Sequence, residues 1–526
     1  MKTLILTLAF VLISLTQSYS QVSEAWRKPI QGDILVRNMH FDNQNNIIIS
    51  SDYTGSGING RDLRLLKFSP AGDTLWIKLF GTETFTDEVM FDSYVDNSNN
   101  IYVTGYSGSS IKWLLKYDSN GNLLWSRADS TDTYMENGTS KEAYIQSDSD
   151  GNIYVCTNKE RKMYVLKYTP SGNEVWKKEI DVAEGTLGDL IRGFCINNAG
   201  LYIASERTNA SFSIDWIGVM CNFNGDTLWS YTNTFGNLFY ETPRVMKLDA
   251  QGNVYYLVEL MQSFYVSKFA LIKLGSNGFE SLYDGGGDKR LIPTDIEFDA
   301  QGNVIVSSYQ SFSSDPNTSY ESVIRKYSSN GTVLWTKMIN GNDVFVNDLT
   351  VDANGYIYMT GEYPWEVVSS AKMFIHKISP SGTASWHHEY TDGNNWSIGS
   401  FIKLDNSGNA IVAGSYQLGL TVVKYSNVTG ISTVSSNVPE GFELSQNYPN
   451  PFNPSTKINF SITQSGFVSL KVYDLLGREV AVLVNEVKQA GAYVVDFNAA
   501  QLSSGTYFYK IETNGFSEIK KMMFVK

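Results

Sequence analysis

Short apolar runs alternate with polar turns along most of the chain, and the turns recur at a nearly constant spacing. An Asp or Asn opens a polar turn eight times, at steps of 49 to 54 residues. Gly or Asn, the residues that best tolerate a left-handed backbone, stands three positions later each time. The pattern predicts eight equivalent hairpin turns. They begin at Asp42, Asp96, Asp148, Asn197, Asp249, Asp299, Asp352 and Asp405.

A second pattern lies between these turns. A short apolar run ends in Lys, with Gly five residues after it and Trp nine residues after it. The complete copies start at Lys67, Lys116, Lys167, Lys326 and Lys377. Two copies are degenerate, with Met220 in the Lys position of one and Leu282 in the Trp position of the other. The eighth copy stops after Lys424, without the Gly and Trp.

Each repeat therefore predicts four short strands, which in the second repeat span about 89–96, 101–105, 112–118 and 123–127. Four antiparallel strands at this period are typical of a β-propeller. The eighth repeat lacks its fourth strand, and Trp26 precedes Trp76 by one period of 50 residues. We therefore expect segment 24–30 to supply that strand, which pairs the two ends of an eight-bladed propeller over 21–426. Seven blades is the alternative, if the fifth repeat is not a full blade.

Two segments of the second repeat carry a family resemblance. Asp96–Ser107 (DNSNNIYVTGYS) and Trp113–Trp125 (WLLKYDSNGNLLW) are similar to the bacterial SBBP β-propeller repeats. The resemblance covers roughly 21–427. It implies an architecture and no particular ligand, since propellers have many unrelated functions.

The repeat ends after Tyr425. Residues 427–440 are rich in Ser, Thr, Val and Asn and predict a linker. Residues 441–526 instead alternate with period two, in strands near 457–462, 468–474, 479–484, 493–497, 506–512 and 518–525. We expect a small Ig-like antiparallel β-sandwich here, so the whole chain is predicted to be all-β.

The C-terminal segment closely resembles the type A sorting domain of the type IX secretion system. The resemblance rests on the motifs QNYPNPFNP (446–454) and LKVYDLLGR (470–478) and on later positions up to the basic end. It implies recognition by the type IX machinery, followed by release of the protein or attachment to surface lipopolysaccharide. The sorting-signal residues that it implies are Pro449, Asn450, Pro451, Phe452, Asn453, Tyr473, Asp474, Gly477, Arg478, Gly491, Gly505, Tyr507, Lys520, Lys521 and Lys526.

The N-terminus has the three parts of a secretory signal peptide, predicted over 1–20. Lys2 gives the positive region, 4–15 is apolar, and small residues precede a cleavage site between Ser20 and Gln21. The apolar run is shorter than the roughly 20 residues that span a bilayer. No later stretch is apolar enough to span. We therefore predict a secreted or outer-membrane surface protein that passes through the periplasm.

Charge and composition exclude several function classes. The net charge is −13, so a nucleic acid partner is not expected. Charged residues make up only 18% and aromatic residues 13%, which argues against disorder. The three cysteines are widely and irregularly spaced, which predicts neither a disulfide framework nor a metal knuckle. We interpret them as small buried residues.

Motifs for catalysis or for cofactors are not found in the sequence. The G-x-G-x-x-G match at 55–60 precedes a predicted strand rather than a helix, so it does not indicate a dinucleotide site. His387 and His388 are adjacent on a strand and point to opposite faces, which disfavours a shared metal. The Asp-rich turns lack the distal Glu of an EF-hand loop. We therefore predict no catalytic residues, no metal and no cofactor.

One asymmetry points to binding. The connections between second and third strands, and between fourth and first strands, vary widely in length and leave the same face of a propeller. Variable loops on a rigid scaffold are common binding sites. Aromatic residues near these connections are candidates for stacking on a sugar ring. The candidates are Trp365, Trp396, Tyr134, Tyr240 and Tyr320, with Phe239 nearby.

These observations favour a non-enzymatic binding or adhesion module, with a glycan or a protein as its ligand. The alternative is a secreted polysaccharide lyase or hydrolase with its site on the variable-loop face. A third interpretation, a quinone-dependent dehydrogenase, lacks the adjacent cysteine pair and the metal ligands that it needs. An enzyme requires carboxylates that converge with Tyr, Arg or His in one pocket.

Overall fold

The structure is a computed structural model with two compact units, one comprising Glu24–Tyr425 and the other including Ser426–Lys526. Forty strands and no helix are found in the part of the chain that it describes. The predicted signal peptide and its cleavage site at Ser20 and Gln21 lie outside that part. The described residues are 23–526 except 54–60, 82–87, 108–110, 130–142, 160–161, 181–187, 209–212, 233–239, 264–265, 276–277, 285–290, 312–319, 340–343, 364–370, 384, 391–395, 418, 427–430, 436–440, 465, 489, 500–501 and 514.

The first unit consists of strands that follow the eight sequence repeats. An N-terminal strand, β1 (Ser23–Gln31), precedes them. Repeat 1 contains β2 (Asp33–Phe41), β3 (Ile47–Tyr53), β4 (Asp62–Phe68) and β5 (Thr74–Phe80). Repeat 2 contains β6 (Glu88–Val95), β7 (Ile101–Ser107), β8 (Ile111–Tyr117) and β9 (Leu123–Asp129). Repeat 3 contains β10 (Ala143–Ser147), β11 (Ile153–Lys159), β12 (Lys162–Tyr168) and β13 (Glu174–Ile180). Repeat 4 contains β14 (Gly188–Asn197), β15 (Gly200–Thr208), β16 (Ile214–Cys221) and β17 (Thr227–Thr232).

The second half of this unit repeats the arrangement. Repeat 5 contains β18 (Tyr240–Leu248), β19 (Val254–Ser263), β20 (Val266–Gly275) and β21 (Gly278–Asp284). Repeat 6 contains β22 (Leu291–Phe298), β23 (Val304–Ser311), β24 (Tyr320–Tyr327) and β25 (Val333–Met338). Repeat 7 contains β26 (Phe345–Val351), β27 (Ile357–Tyr363), β28 (Lys372–Ile378) and β29 (Ser385–Glu389). Repeat 8 contains β30 (Ser397–Leu404), β31 (Ala410–Tyr416) and β32 (Gly419–Ser426).

Consecutive strands of each repeat pair antiparallel in chain order. In repeat 8 the fourth position of the sheet is taken by β1, which pairs with β32. Repeats 4 and 5 share one sheet through a single parallel bridge between Ile214 and Tyr240. The first strands of neighbouring repeats contact one another, and β2 of repeat 1 also contacts β30 and β31 of repeat 8. The four strands that the sequence predicts for repeat 2 agree with β6–β9 within about two residues.

The recurring Asp determines the shape of its turn. In repeat 2, Asp96 Oδ1 accepts hydrogen bonds from the backbone N–H groups of Ser98 (2.9 Å) and Asn100 (2.8 Å). The side chain of Asn100 donates to the other carboxylate oxygen at 2.8 Å. Asn99 then adopts a left-handed backbone with φ of 63°. Seven of the eight predicted Gly or Asn positions have φ between 61° and 81°, and Gly200 has φ of 156°.

The cores of the first unit lie between neighbouring sheets. Every residue of β4 and of β31 is buried, as expected for strands covered on both faces. The fourth strands alternate instead, so that Leu75, Ile77 and Leu79 of β5 are exposed. The cysteines are free and buried, as predicted, and burial raises the pKa of the Cys221 thiol to about 11.

The C-terminal unit has two four-stranded antiparallel sheets that contribute to one buried core. Their strands are β33 (Ile431–Ser435), β34 (Glu443–Leu444), β35 (Ser455–Ile462), β36 (Gly466–Tyr473), β37 (Glu479–Lys488), β38 (Gly491–Asn498), β39 (Gly505–Thr513) and β40 (Phe516–Phe524). All six strands that the alternation predicts are present. The structure differs from the sequence prediction at 427–440, where a linker was predicted and strand β33 is found. This strand is held by pairing with β38, more than 50 residues away, so local composition did not indicate it.

Candidate functional site

The recurring lysine joins neighbouring repeats. Lys67 Nζ lies 2.8 Å from the turn carboxylate of Asp42 in its own repeat. The same ammonium donates to the carbonyl oxygen of Ser119 in repeat 2 at 2.8 Å. Both charged side chains are at most 5% exposed. This lysine therefore has a structural role, because its charge is neutralised inside the interface between two repeats.

The recurring tryptophan contacts the same turn of the next repeat. Trp125 Nε1 donates to the carbonyl oxygen of Pro170 at 3.2 Å, and Lys116 donates to it at 3.0 Å. A Cβ added at Gly172 in that turn would lie only 2.7 Å from the indole ring of Trp125. Lys, Gly and Trp recur together because they form one inter-repeat contact.

Ionisable side chains of the first strands converge from six repeats into what we call the first-strand cluster. Each lies two or four residues before the Asp of its repeat's turn. The cluster consists of His40, Asp92, Lys247, Asp295, Glu297, Asp348 and Lys403. Lys403 of repeat 8 interacts electrostatically with groups of repeats 1, 2, 5, 6 and 7. The sequence analysis did not predict this cluster, although its fixed offset from the turns was visible in the sequence.

Burial and neighbouring charges shift the pKa values in this cluster. Burial raises the pKa of Asp92 to about 7, although three hydrogen bonds to the carboxylate oppose the shift. Burial, and then the charge of Lys403, lower the pKa of His40 to about 3, so this imidazole is neutral at pH 7. Burial would lower the pKa of Lys247, but Asp295 and Glu297 raise it above its usual value.

Two carboxyl groups of the cluster lie side by side. Burial and the neighbouring Asp295, with which it shares a hydrogen bond, hold the pKa of Asp348 well above its ordinary value. Lys247 Nζ lies 3.3 Å from Asp295 Oδ1 and 2.7 Å from Glu297 Oε1. Two adjacent carboxyls do not both ionise readily, which is why the proximity of Asp295 raises the pKa of Asp348.

The three aspartates of the cluster make the same contact with the following repeat. Asp92 Oδ2 accepts a hydrogen bond from the N–H of Ile145 at 3.1 Å. The N–H of Leu349 donates to Asp295 at 3.2 Å, and the N–H of Ile402 donates to Asp348 at 2.7 Å. The carboxylates therefore bind the first strand of the next repeat. No group of residues that could hold a metal ion occurs in the part of the chain that the structure describes.

The predicted aromatic residues are only partly covered by the structure. Trp365 and Tyr134 lie outside the described residues, as does Phe239. Tyr240 begins β18 and is half-buried, and Tyr320 begins β24. Trp396 is half-buried directly before β30, where its carbonyl oxygen accepts a hydrogen bond from the N–H of Gln417 at 3.1 Å. Tyr240 and Trp396 belong to repeats 5 and 8, which are not neighbours.

A cleft of about 730 Å³ lies between repeats 2 and 3. Its described lining includes four cationic side chains, those of Lys112, Arg127, Lys159 and Lys177, together with one carboxylate, that of Glu174. Lys112 Nζ donates to Thr157 Oγ1 at 3.1 Å, across the boundary between the repeats. Lys177 Nζ lies 5.8 Å from the centre of the Tyr164 ring. The sequence analysis missed this site, because its residues come from seven strands of two repeats.

In the C-terminal unit, several residues of the predicted sorting signal stabilise turns. Asp474 Oδ2 accepts a hydrogen bond from Arg478 Nε at 2.7 Å, and Gly477 between them has φ of 77°. Asn450 Oδ1 accepts one from the N–H of Met523 at 2.9 Å. Phe452 is buried in the core, and Tyr507 donates to the carbonyl oxygen of Ser503 at 2.8 Å.

The remaining residues of the predicted sorting signal lie in or beside these elements. Pro449, Pro451 and Asn453 belong to the segment before β35, and Tyr473 ends β36. Gly491 and Gly505 begin β38 and β39, Lys520 and Lys521 lie in β40, and Lys526 follows it. Leu475 and Leu476, at the tip of the turn closed by Gly477, are 69% and 78% exposed.

Solved structures similar to this chain include β-propellers, all at low sequence identity. The β-propeller domain of the Trilobed protease from Pyrococcus furiosus matches with a TM-score of 0.36 and 8% identity, over 76% of this chain and 95% of that chain. Dihydro-heme d1 dehydrogenase NirN matches with a TM-score of 0.46 and 11% identity, over 91% and 81%. Drosophila semaphorin 2a matches with a TM-score of 0.41 and 7% identity, over 97% and 98%. A comparison with curated protein sequences finds no match.

The C-terminal segment also matches a protein family. Residues 446–526 match the family described as "Secretion system C-terminal sorting domain". A helix long and apolar enough to cross a membrane is not found among the described residues. The chain therefore combines an all-β, propeller-like repeat unit with a C-terminal type IX sorting domain, which indicates an exported protein that is secreted or displayed on the cell surface.

Proposed function

We propose that this protein is a non-enzymatic binding or adhesion module, delivered to the cell surface by the type IX secretion system, and that its ligand is a glycan. The eight repeats form an eight-bladed ring of SBBP type, in which β1 completes the last blade. The leader directs the chain to the periplasm. The sorting domain is then removed, and the propeller is released or attached to surface lipopolysaccharide.

Ring closure is supported by contacts between the first and last repeats. Trp26 Nε1 of β1 donates to the carbonyl oxygen of Pro70 in repeat 1 at 3.3 Å. A Cβ added at Gly72 would lie 2.7 Å from the ring of Trp26. These are the contacts by which Trp125 and Gly172 join repeats 2 and 3. A closed ring leaves no sheet edge between its first and last blades.

The binding function is supported chiefly by the hydrogen bonds of the buried carboxylates, which are made within the protein. An enzyme of the hydrolase or lyase type needs acidic groups that face a substrate. The aspartates of the first-strand cluster instead accept N–H groups of the next repeat, in the same way at three repeats. Their shifted pKa values then follow from a structural position, and the variable connections remain the part of the fold suited to recognition.

One observation favours the alternative, a secreted polysaccharide-active enzyme. A carboxyl group with a pKa near 7, such as Asp92, is matched to proton transfer at neutral pH. The alternative needs this group to reach a substrate, in addition to its hydrogen bonds with Ile145, Ser93 and Asn38.

A single binding experiment tests the proposal. The purified full-length protein is incubated with a panel of polysaccharides and surface glycoproteins, and both retained protein and soluble sugar products are measured. We expect retention without product, weakened by Trp396→Ala or Trp365→Ala. Tyr448→Ala, which removes an 81% exposed aromatic residue of the sorting domain, is the matched control. Product formation that Asp92→Asn abolishes would establish the enzyme instead.

A further inference from the structure

We propose that the cleft between repeats 2 and 3 binds an acidic saccharide, whose carboxylate or sulfate groups are held by Lys112, Arg127, Lys159 and Lys177. The inference rests on the proposed function, specifies its ligand class and adds a binding site apart from Trp365 and Trp396. Among the described residues, four cations and one carboxylate line the cleft, in a chain whose net charge is −13. Such a group of cations attracts anions.

Lys112 is the most informative residue of the cleft. It occupies the position four residues before the recurring lysine, and repeat 2 alone has a charged residue there. The equivalent residues are Leu63, Met163, Trp216, Phe269, Ser322, Met373 and Leu420, all buried. At this position the other repeats bury an uncharged side chain, whereas Lys112 donates to Thr157 Oγ1 and Asn158 O of repeat 3. Repeat 2 therefore places a cation at its boundary with repeat 3, where it can contact an anionic ligand.

Contacts within the protein orient Arg127 and Lys177 in the same cleft. Arg127 donates to the carbonyl oxygens of Ser126 (2.7 Å) and Gly172, which fixes its guanidinium at the boundary between the repeats. Lys159 ends β11, and Lys177 lies in β13 beside the ring of Tyr164. Cations held by the protein lose little conformational freedom on binding an anion.

The lining suits a saccharide rather than a simple inorganic anion. The hydroxyl-bearing residues Thr104, Thr157 and Tyr164 line the cleft, as do the apolar residues Leu114 and Leu166. Sugars present hydroxyl groups and an apolar C–H face together, and aromatic rings pack against that face. The volume of about 730 Å³ lies within the roughly 300–1,000 Å³ of ligand pockets. Lys112 is the second residue of β8 and Lys159 ends β11, so this end of the cleft lies where variable connections leave the strands.

The test measures binding of four soluble probes to the full-length protein by calorimetry. Oligogalacturonate carries carboxylates, dextran sulfate carries sulfates, neutral dextran carries neither, and poly-L-glutamate is an acidic polypeptide. The variants are Lys112→Met, which gives repeat 2 the residue of repeats 3 and 7, and Lys177→Ser, which gives repeat 3 the residue of repeats 2 and 4. Lys337→Met is the control, since Lys337 has the same charge at the position of Arg127 but lies in β25.

We expect one or both acidic saccharides to bind, with at least a tenfold weaker Kd in Lys112→Met and in Lys177→Ser. We expect Lys337→Met to bind like the wild type and neutral dextran not to bind. The probe that binds with the lower Kd, oligogalacturonate or dextran sulfate, shows whether the site recognises carboxylates or sulfates. Because Lys177 is exposed, its variant keeps the test valid even if Lys112→Met fails to fold.

Three results would overturn the inference, and they separate it from the proposed function. Unchanged affinity in both variants would remove the cleft as the site, while saccharide binding itself would still support the binding module. Poly-L-glutamate binding as tightly as the saccharides, with the same sensitivity, would make the ligand an acidic polypeptide. Binding of no saccharide, together with none in the wider panel above, would contradict both proposals.

Discussion

The ammonium group of Lys424 donates a hydrogen bond to the carbonyl oxygen of Pro70 at 3.1 Å, although the two residues are 354 positions apart. Lys424 Nζ also lies 2.9 Å from the turn carboxylate of Asp405 in its own repeat. Lys67 contacts Asp42 and Ser119 in the same way, between consecutive repeats. The two ends of the first unit are thus joined by the same kind of contact that joins consecutive repeats.

Deleting residues 21–30 should destabilise the whole repeat unit. The deletion removes β1 and Trp26, and it leaves β32 with an unpaired edge. We expect the melting temperature to fall by many degrees in calorimetry, because the first and last repeats lose one of their shared contacts. Trp26→Ala should lower it by a smaller amount. A melting temperature equal to that of the wild type after the deletion would contradict closure by β1.

Gly172→Ala should destabilise the protein more than Gly302→Ala does. Both glycines have a left-handed backbone, with φ of 82° and 75°, so either alanine costs about 1–2 kcal/mol. At Gly172 the added Cβ also meets the Trp125 ring at 2.7 Å, whereas nothing lies within 4 Å at Gly302. Overpacking adds about 1–3 kcal/mol there. Urea denaturation of the two variants measures the difference, and equal free energies of unfolding would show that the Trp–Gly contact adds no stability.

Lys67→Met should be strongly destabilising, since it leaves the buried carboxylate of Asp42 without its partner. We expect a loss of about 3–5 kcal/mol in the free energy of unfolding. The matched control is Lys178→Met, which breaks the exposed 2.6 Å pair with Asp226 and should have a far smaller effect, since solvent screens exposed ion pairs. Urea denaturation compares them, and similar losses in both variants would refute the structural role of the recurring lysine.

The pair of Lys67 and Asp42 also predicts acid sensitivity. Burial would raise the pKa of Asp42, but the hydrogen bonds from Lys67 and Asn46 hold it below its ordinary value. A carboxyl with a depressed pKa in the folded state adds stability above its unfolded pKa of about 3.9, and this is lost as the pH falls through the folded value. Asp42→Asn should therefore weaken the fall in stability below about pH 4, measured by urea denaturation at several pH values. An unchanged pH dependence of the free energy of unfolding in this variant would contradict the lowered pKa of Asp42.

Asp92→Asn should change the pH dependence at higher pH, in the opposite direction. Burial raises the pKa of Asp92 to about 7 in the folded protein, so the unfolded chain binds fewer protons between about pH 4 and pH 7. This group lowers the free energy of unfolding as the pH rises through that window, by up to about 1.4 kcal/mol per pH unit. Removing the carboxyl should reduce the slope between pH 5 and pH 7, and an unaltered slope would contradict a raised pKa at this position.

Export tests the C-terminal unit. Deletion of residues 446–526 should leave the protein in the periplasm, because the sorting domain is then missing, and cell fractionation with immunoblotting measures this. Phe467→Ala, which removes a 53% exposed side chain while the unit remains, is the control and should be exported normally. Normal export of the truncated chain would show that the repeat unit carries its own signal.

The sequence alone determined the repeat and the local shape of each turn. Asp, Asn and Gly shape a turn through bonds within about four residues, as Asp96, Asn99 and Asn100 do, so their spacing predicted the hairpins and the strands between them. Alternation likewise predicted six strands of the C-terminal unit. These features depend on residues that are close together in the chain, so the order of residues is enough to predict them.

Only the tertiary structure decided which distant residues meet. β33 exists through pairing with β38, and the first-strand cluster draws its side chains from six repeats. In the sequence Lys112 is one of many lysines, and only the structure places it with Arg127, Lys159 and Lys177 in the same cleft. The pKa of Asp92 depends on what surrounds its carboxyl group, including the N–H of Ile145 from the next repeat. Burial and electrostatic interaction depend on distance in space, which a local pattern does not contain.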